Sequence, residues 1–264
     1  MIAFNTIEKN TANKIKYILT DIDDTITQNG KLTADAYTAL WRLHDAGYKV
    51  IPVTGRPAGW CDMIIREWPV DAVVGENGAF VYYFDGTQLK KFTHPSVAED
   101  EIHSKLEGIK EAVFKEIPEC RVSKDQFSRI YDLAIDFNED PPYLGFKVAE
   151  QIKDICESMG AEAKVSSIHV NTWFGDYNKL SMTELFLKEI WNEKDIKDKV
   201  IFFGDSPNDE PMFAYFTNSC AVANVKPFID QITNLPTYIT QKEAGAGFAE
   251  AIDHLLTINT GMAN

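Results

Sequence analysis

Positive charge is what this 264-residue sequence is shortest of: Lys and Arg number 26 against 40 Asp and Glu, a formal net charge of -14. Such a surface repels a phosphate backbone, so nucleic acid is excluded as an expected partner. Any anionic substrate must then be held by a local positive centre, either a metal ion or a placed Lys or Arg. Cysteine is sparse, with 4 residues at Cys61, Cys120, Cys156 and Cys220. They form no C-x-x-C spacing, and scattered thiols fit a reducing compartment better than a disulfide framework. No stretch reaches the roughly 20 apolar residues of a membrane span. The N-terminal MIAFNTIEKNTANKIKY has no apolar run of the secretory kind. Repeats and low-complexity tracts are lacking as well. The expectation is a soluble, cytoplasmic protein with no membrane partner. Hydrophobic residues at 45% supply a sizeable core, enough for one large domain or two modest ones.

The hydrophobic pattern first alternates strand and helix. A short β-favouring run from Ile15 to Thr20 ends in a cluster of acids. A helix over about 33–46 starts at Thr33 as N-cap, carries Ala36, Leu40 and Leu43 at helical spacing, and stops at Gly47. A strand over 48–53 closes on Thr54-Gly55-Arg56-Pro57, and a helix over 58–68 and a strand over 71–75 follow. This order predicts a parallel, doubly wound sheet. The pattern then changes. Runs 79–84 and 87–92 joined by Asp85-Gly86 read as a hairpin. A helix over 97–117, strands over 121–125 and 129–137, a helix from Pro141-Pro142 to 159, and strands over 161–165 and 168–174 come next. Two successive α-β-β units make an antiparallel sheet with helices on one face. From Lys179 the alternation returns, through the strong apolar strand Val200-Ile201-Phe202-Phe203, a helix over 226–234 and a last helix over 246–256. The predicted fold class is α/β. Residues 1–87 and 177–264 form a Rossmann-like, doubly wound, mostly parallel core, and residues 88–176 form an inserted α+β domain of order α-β-β-α-β-β.

Asp21-Ile22-Asp23-Asp24-Thr25 directly follows the first strong strand. Ligands of open α/β sheets bind beyond the carboxyl ends of the strands. Asp21 and Asp23, two apart, point the same way in extended backbone and repel unless a cation or proton intervenes. Alone, such a cluster reads first as a solvated acidic turn, since acidic turns are common. Other segments sit at matching strand ends: Thr54-Gly55-Arg56, Lys179 at a helix start, and Gly204-Asp205-Ser206-Pro207-Asn208-Asp209. Thr54 offers a hydroxyl and Lys179 a positive charge to phosphate oxygens, while Asp205 and Asp209 offer the hard oxygen ligands that Mg²⁺ selects. Their joint occurrence in this order is the signal.

Together these segments resemble the motifs of the haloacid dehalogenase superfamily. Asp21, Asp23 and Thr25 match its D-x-D-x-T loop, Thr54 its second motif, Lys179 its basic third motif, and Asp205, Asn208 and Asp209 its acidic fourth. Asp24 stands where glycine is often found. The order of elements in the insert, and Glu76-Asn77-Gly78 before it, resemble the subclass IIB cap of the Cof-like, sucrose-phosphatase and phosphomannomutase relatives. The resemblance implies a phosphatase with Asp21 as nucleophile and Asp23 as general acid/base. It implies Mg²⁺ on Asp21, the Asp23 carbonyl, Asp205 and Asp209. Thr25, Thr54, Gly55, Lys179 and Asn208 would form the phosphate pocket, and a small phosphorylated metabolite, a sugar phosphate, would be the substrate. In the insert, His169, Asn171 and Trp173 share one strand face, expected to look toward the active site or to solvent. Asp176 and Asn77 are further candidate substrate contacts. Arg56 is a candidate for an anionic leaving group or for pairing with a local acid. A phosphomannomutase-like phosphotransferase is the alternative, because Trp173 to Lys179 resembles the cap-to-core return of those proteins. A phospho-Asp signalling module or a non-catalytic binding protein is disfavoured by the large insert and the complete acid/base pair. The sequence leaves the oligomeric state open.

Overall fold

The computed structural model describes residues 1–166 and 168–260 and carries the expected switch between parallel and antiparallel patterning. The chain opens with a short strand β1 (Ile2–Ala3) and a one-turn helix α1 (Lys9–Ala12), ahead of the first strand that the hydrophobic pattern marks. The fully buried β2 (Tyr17–Thr20) follows. A small hairpin of β3 (Thr27–Gln28) and β4 (Lys31–Leu32) turns at Asn29-Gly30, whose φ angles of 51° and 72° suit that pair. Helix α2 (Ala34–Asp45) starts where Thr33 accepts the Ala36 N–H, and it buries Ala36, Ala39, Leu40 and Leu43. Strand β5 (Lys49–Pro52), helix α3 (Ala58–Glu67) and strand β6 (Ala72–Gly75) complete this half.

Strands β7 (Phe80–Asp85) and β8 (Gln88–Thr93) pair antiparallel beside β6. The third strand, expected inside the parallel sheet, thus belongs to this hairpin sheet. It meets the core through a parallel Val53–Val74 bridge. The insert contains α4 (Ile102–Glu116), β9 (Arg121–Val122), β10 (Asp132–Asp136), α5 (Phe146–Ser158), β11 (Glu162–Val165) and β12 (His169–Trp173). Its antiparallel sheet runs β11-β12-β10-β9. The register puts Leu133, Ile135, Val170 and Ala163 on the face that shares a core with Ile109, Val113, Ile152 and Cys156 of the two helices. Asp132, Lys164, His169, Asn171 and Trp173 take the other face. The strand expected over 129–137 starts only at Asp132, because Ile130 and Tyr131 donate their N–H groups to the Glu76 carboxyl group instead of a ladder.

The chain returns through α6 (Lys179–Glu189), β13 (Val200–Gly204), α7 (Glu210–Tyr215), β14 (Asn218–Ala221), β15 (Tyr238–Ile239) and α8 (Ala244–Thr260). The helix expected over 226–234 is instead a 3₁₀ run over Ala223–Gln231. Pro227 inside it has no N–H to donate to an α-helical ladder. The core sheet runs β1-β15-β14-β13-β2-β5, with every neighbour parallel. Alternate residues feed two cores. Ile18, Val50, Ile201 and Phe203 pack with Leu40, Leu43 and Phe248, while Leu19, Ile51, Val200 and Phe202 pack with Met182, Phe186 and Phe213. The sheet is therefore covered on both faces, and its loops at the carboxyl ends of β2, β5 and β13 lie side by side. No described helix is long and apolar enough to cross a membrane.

Candidate active site

Asp21 continues β2 by one residue, its N–H donating to the Phe203 carbonyl at 2.8 Å. That bond carries the sheet ladder into the acidic loop and sets Asp21 beside the end of β13. The last residue of β13 is a glycine, Gly204, where a Cβ would stand 2.5 Å from Asp209 Oδ2. The same Asp209 oxygen accepts the Asp205 N–H at 3.1 Å. Carboxylate oxygens of Asp21, Asp205 and Asp209 lie within 4.8 Å of one another, all three residues buried. Lys179, the first residue of α6, reaches into this cluster and donates to Asp21 Oδ1 at 2.7 Å and to Asp209 Oδ1 at 3.0 Å. Its helix is started by a capping box in which Asn178 and Ser181 satisfy each other's backbone N–H.

Burial pushes the Asp21 carboxyl up to about 7, against the pull of Lys179, with Asp209 and Asp23 adding to the rise. Burial also pushes Asp205 up, helped by Asp209 and Asp21, to about 9. Burial alone would lower Lys179, but Asp209 and Asp21 hold it well above the ordinary lysine value. The lysine stays charged and offsets one of three clustered carboxylates. A divalent cation would offset the rest, and an all-oxygen donor set is the kind that Mg²⁺ takes.

Asp24 adopts φ of 56°, a left-handed position that Asp tolerates and glycine favours. This explains the residue types found at that point of the loop. Just before this turn, Asp23 lines the same cavity as Asp21. Its carboxylate receives the Arg56 guanidinium, with Nε 2.9 Å from Oδ2 and Nη2 on Oδ1. Arg56 in turn lies over the Trp60 ring at 4.4 Å. Of the alternatives open for Arg56, pairing with a local acid is the observed one. Thr54 is fully buried, and its hydroxyl oxygen accepts the Arg56 N–H at 3.0 Å. Thr25 is also fully buried, but its hydroxyl donates to Asp205 Oδ1 at 3.1 Å. That hydroxyl proton is therefore spent on a carboxylate of the cluster. Asn208 accepts from the Ser206 hydroxyl at 3.0 Å.

A cavity of about 750 Å³ joins this cluster to the insert. Asp21, Asp23, Gly55, Arg56, Asn77, Lys179 and Asn208 line its core side, and His169, Asn171, Trp173 and Asp176 line the insert side. His169 shares a hydrogen bond of 3.0 Å with Glu139, and Asn171 donates to Asp132 Oδ2 at 3.3 Å. Trp173 stacks on Tyr177, with ring centroids 5.7 Å apart. The sequence reading missed several wall residues, among them Trp60, Lys124, Phe127 and Arg129. It also missed Asn224, which donates to the Asp24 carbonyl at 2.8 Å and lies 3.4 Å from Asp205. No local signal marks these residues, since each gains its meaning from segments distant in sequence.

The sequence model of the haloacid dehalogenase-like hydrolases matches residues 18–137 and 147–252. A phosphoglycolate phosphatase of Nitrosopumilus maritimus is 28% identical over 244 residues, covering 90% of this chain and 95% of that protein. A phosphoglycolate phosphatase of Saccharolobus solfataricus is 25% identical over 246 residues, covering 92% and 96%. Among solved structures, a Thermoplasma acidophilum protein superposes with a TM-score of 0.72 at 20% identity, covering 92% of this chain and 98% of that one. The sucrose-phosphatase of Synechocystis superposes with a TM-score of 0.65 at 16% identity, covering 90% and 97%.

Proposed function

The chain belongs to the haloacid dehalogenase-like hydrolases, and on that premise we propose a Mg²⁺-dependent phosphatase acting on a small phosphomonoester through a phosphorylated Asp21. The observation that carries this reading is the buried cluster of Asp21, Asp205 and Asp209 with Lys179 bridging two of its members. Asp21, the Asp23 carbonyl, Asp205 and Asp209 would hold Mg²⁺, which supplies charge neutralisation for phosphoryl transfer. The other steps fall to the chain itself. The Asp21 carboxylate attacks phosphorus in line and forms the aspartyl phosphate as the alcohol leaves. Asp23 gives its proton to the leaving oxygen, then takes one from the water that cleaves the aspartyl phosphate. Lys179 and the Thr54 hydroxyl, whose own proton is unused by the Arg56 N–H, hold phosphoryl oxygens. Residues 88–176 act as the cap that excludes water and selects the leaving group.

For the leaving group we favour a neutral polyol, as in a sugar phosphate. The cavity of about 750 Å³ exceeds what a two-carbon acid needs. Its wall cations Arg56, Lys124, Arg129 and Lys179 are each paired with an acid. Lys164, the remaining wall lysine, shares its strand face with Glu162. The relatives named for phosphoglycolate support a carboxylate-bearing substrate instead. A phosphate-release panel of hexose phosphates and phosphoglycolate, with and without Mg²⁺, decides between them. Phosphoglycolate as the preferred substrate would overturn the sugar assignment alone. Undiminished release by Asp21→Asn protein would overturn the mechanism. Isomerised sugar without free phosphate would favour the phosphotransferase alternative.

A further inference from the structure

The loop that ends β5 exposes successive carbonyls, and each has a donor. Asn77 N–H bonds the Thr54 carbonyl at 3.0 Å and Glu76 N–H bonds the Arg56 carbonyl at 3.1 Å. The middle one, on Gly55, is bonded by Arg129 Nη1 at 3.1 Å. Arg129 belongs to the insert, and its side chain is only 3% exposed. The same Nη1 lies 2.9 and 3.0 Å from the oxygens of Asp132, and Nε lies 3.2 Å from Asp125. The guanidinium is thus held rigidly within the insert while it reaches the core loop.

The segment around Arg129 is seated on the core by two further contacts. Buried Glu76 accepts the Ala58 N–H at the start of α3 with Oε1, at 2.9 Å. The same carboxylate accepts Ile130 N–H at 2.9 Å and Tyr131 N–H at 2.6 Å from the insert. Gly59, in the first turn of α3, lets Ser128 approach, because a Cβ there would stand 2.7 Å from Ser128 Cβ. Beyond Gly55 the loop continues into Arg56, whose guanidinium holds the Asp23 carboxylate. A continuous set of contacts therefore runs from the seat of the insert to Asp23.

We propose that Arg129 is a positioning residue for Asp23: with residues 128–132 seated on α3 and Glu76, it fixes the Gly55 carbonyl and hence the Arg56 side chain that orients Asp23. The insert thereby reports its own seating to the proton-transfer group. This inference rests on the acid/base role given to Asp23 above.

The test compares p-nitrophenyl phosphate, whose phenolate leaves readily unprotonated, with phenyl phosphate, whose leaving group depends more on the proton. Arg129→Lys keeps a charge beside Asp132 but loses the fork that spans Asp132 and Gly55. It should lower kcat/KM for phenyl phosphate by about 10- to 100-fold and for p-nitrophenyl phosphate by under ~3-fold. Gly59→Ala keeps every charge and pushes Ser128 away, so a loss of the same selectivity, about 10-fold, is expected. A merely structural contact would lower both substrates alike, and an unchanged ratio in both variants overturns the proposal. Asp23→Asn is the control. If it too shows no selectivity, the acid/base reading of Asp23 falls and the inference with it. If it is selective while both other variants are not, only the inference falls.

Discussion

Asp205→Asn should make the metal-free protein more stable, at the expense of its function. In wild type the Asp205 carboxyl is raised from 3.8 to about 9 by burial and by Asp209 and Asp21. An acid raised on folding holds its proton in the folded state and releases it in the unfolded state across that window. Its contribution to stability is therefore fully present below the unfolded value and lost as pH rises through the folded one. At pH 7 the gap from the unfolded value is about three pH units, a ceiling of roughly 4 kcal/mol of lost stability. Asp21, itself raised to about 7, relieves part of the same repulsion when it takes the proton. About 2 kcal/mol is then the expected scale. Asparagine keeps the size of the side chain and can still accept the Thr25 hydroxyl through Oδ1. Its amide would face the Asn224 amide, now 3.4 Å from Oδ2, which costs about 1 kcal/mol.

Urea unfolding in EDTA at pH 7.5 should therefore show the variant more stable than wild type by about 1 kcal/mol. The gain should vanish at pH 4.5, where neither state carries much of the repulsion. Millimolar Mg²⁺ should stabilise wild type, by about 2.7 kcal/mol at a hundredfold excess over Kd, and leave the variant nearly unmoved. A variant less stable than wild type at pH 7.5 in EDTA would refute the reasoning, as would an equal gain at both pH values.

Gly78→Ala should destabilise by roughly 2–4 kcal/mol in the same assay, since φ is 112° and a Cβ would stand 2.3 Å from the Asn178 carbonyl oxygen. It should also lower kcat, because Asn178 caps the helix that presents Lys179; unaltered kcat would separate the turn from the site. Glu76→Gln replaces one of two accepting oxygens by a donor facing a backbone N–H, and should cost about 2 kcal/mol by urea titration at pH 9, above the value of about 8 to which burial and Asp132 raise this carboxyl. Phe127→Ser alters a ring that is 90% exposed at the cavity mouth. Its unfolding free energy should stay within about 0.5 kcal/mol of wild type, while a change in KM for a sugar phosphate would register the ring as part of the entrance.

The parts of the site that were legible in the sequence are those fixed by strand ends. Asp21, Thr54 and Asp205 each follow a run apolar enough to be read as a buried strand, and the sheet brings such ends together. Lys179 was legible as the first residue of a helix. Illegible were the directions of side chains. Thr25 reads as a phosphate contact by motif, yet its hydroxyl meets a carboxylate 180 residues away. Arg129 lies in a run that reads as strand, and nothing local says that it is buried or that it reaches Gly55. The two-residue β1 is too short for any period to mark, and it exists because β15 offers it an edge. Pro227 is the local signal against the α-helix expected over 226–234, and a 3₁₀ run is what forms there.

The scarcity of positive charge takes on a specific form in the folded protein. Three cations that reach the site are committed to acids: Lys179 to Asp21 and Asp209, Arg56 to Asp23, and Arg129 to Asp125 and Asp132. These pairings neutralise carboxylates, so the positive charge left over for a phosphate dianion is small. On the proposed function, the buried acids would serve to recruit charge. Asp21, Asp205 and Asp209 are clustered and buried, and their mutual repulsion, which holds the Asp21 and Asp205 carboxyls up, is one that a divalent cation would relieve on displacing those protons. Positive charge for the substrate would then come from a bound ion rather than from the chain, which reconciles a net charge of -14 with an anionic substrate.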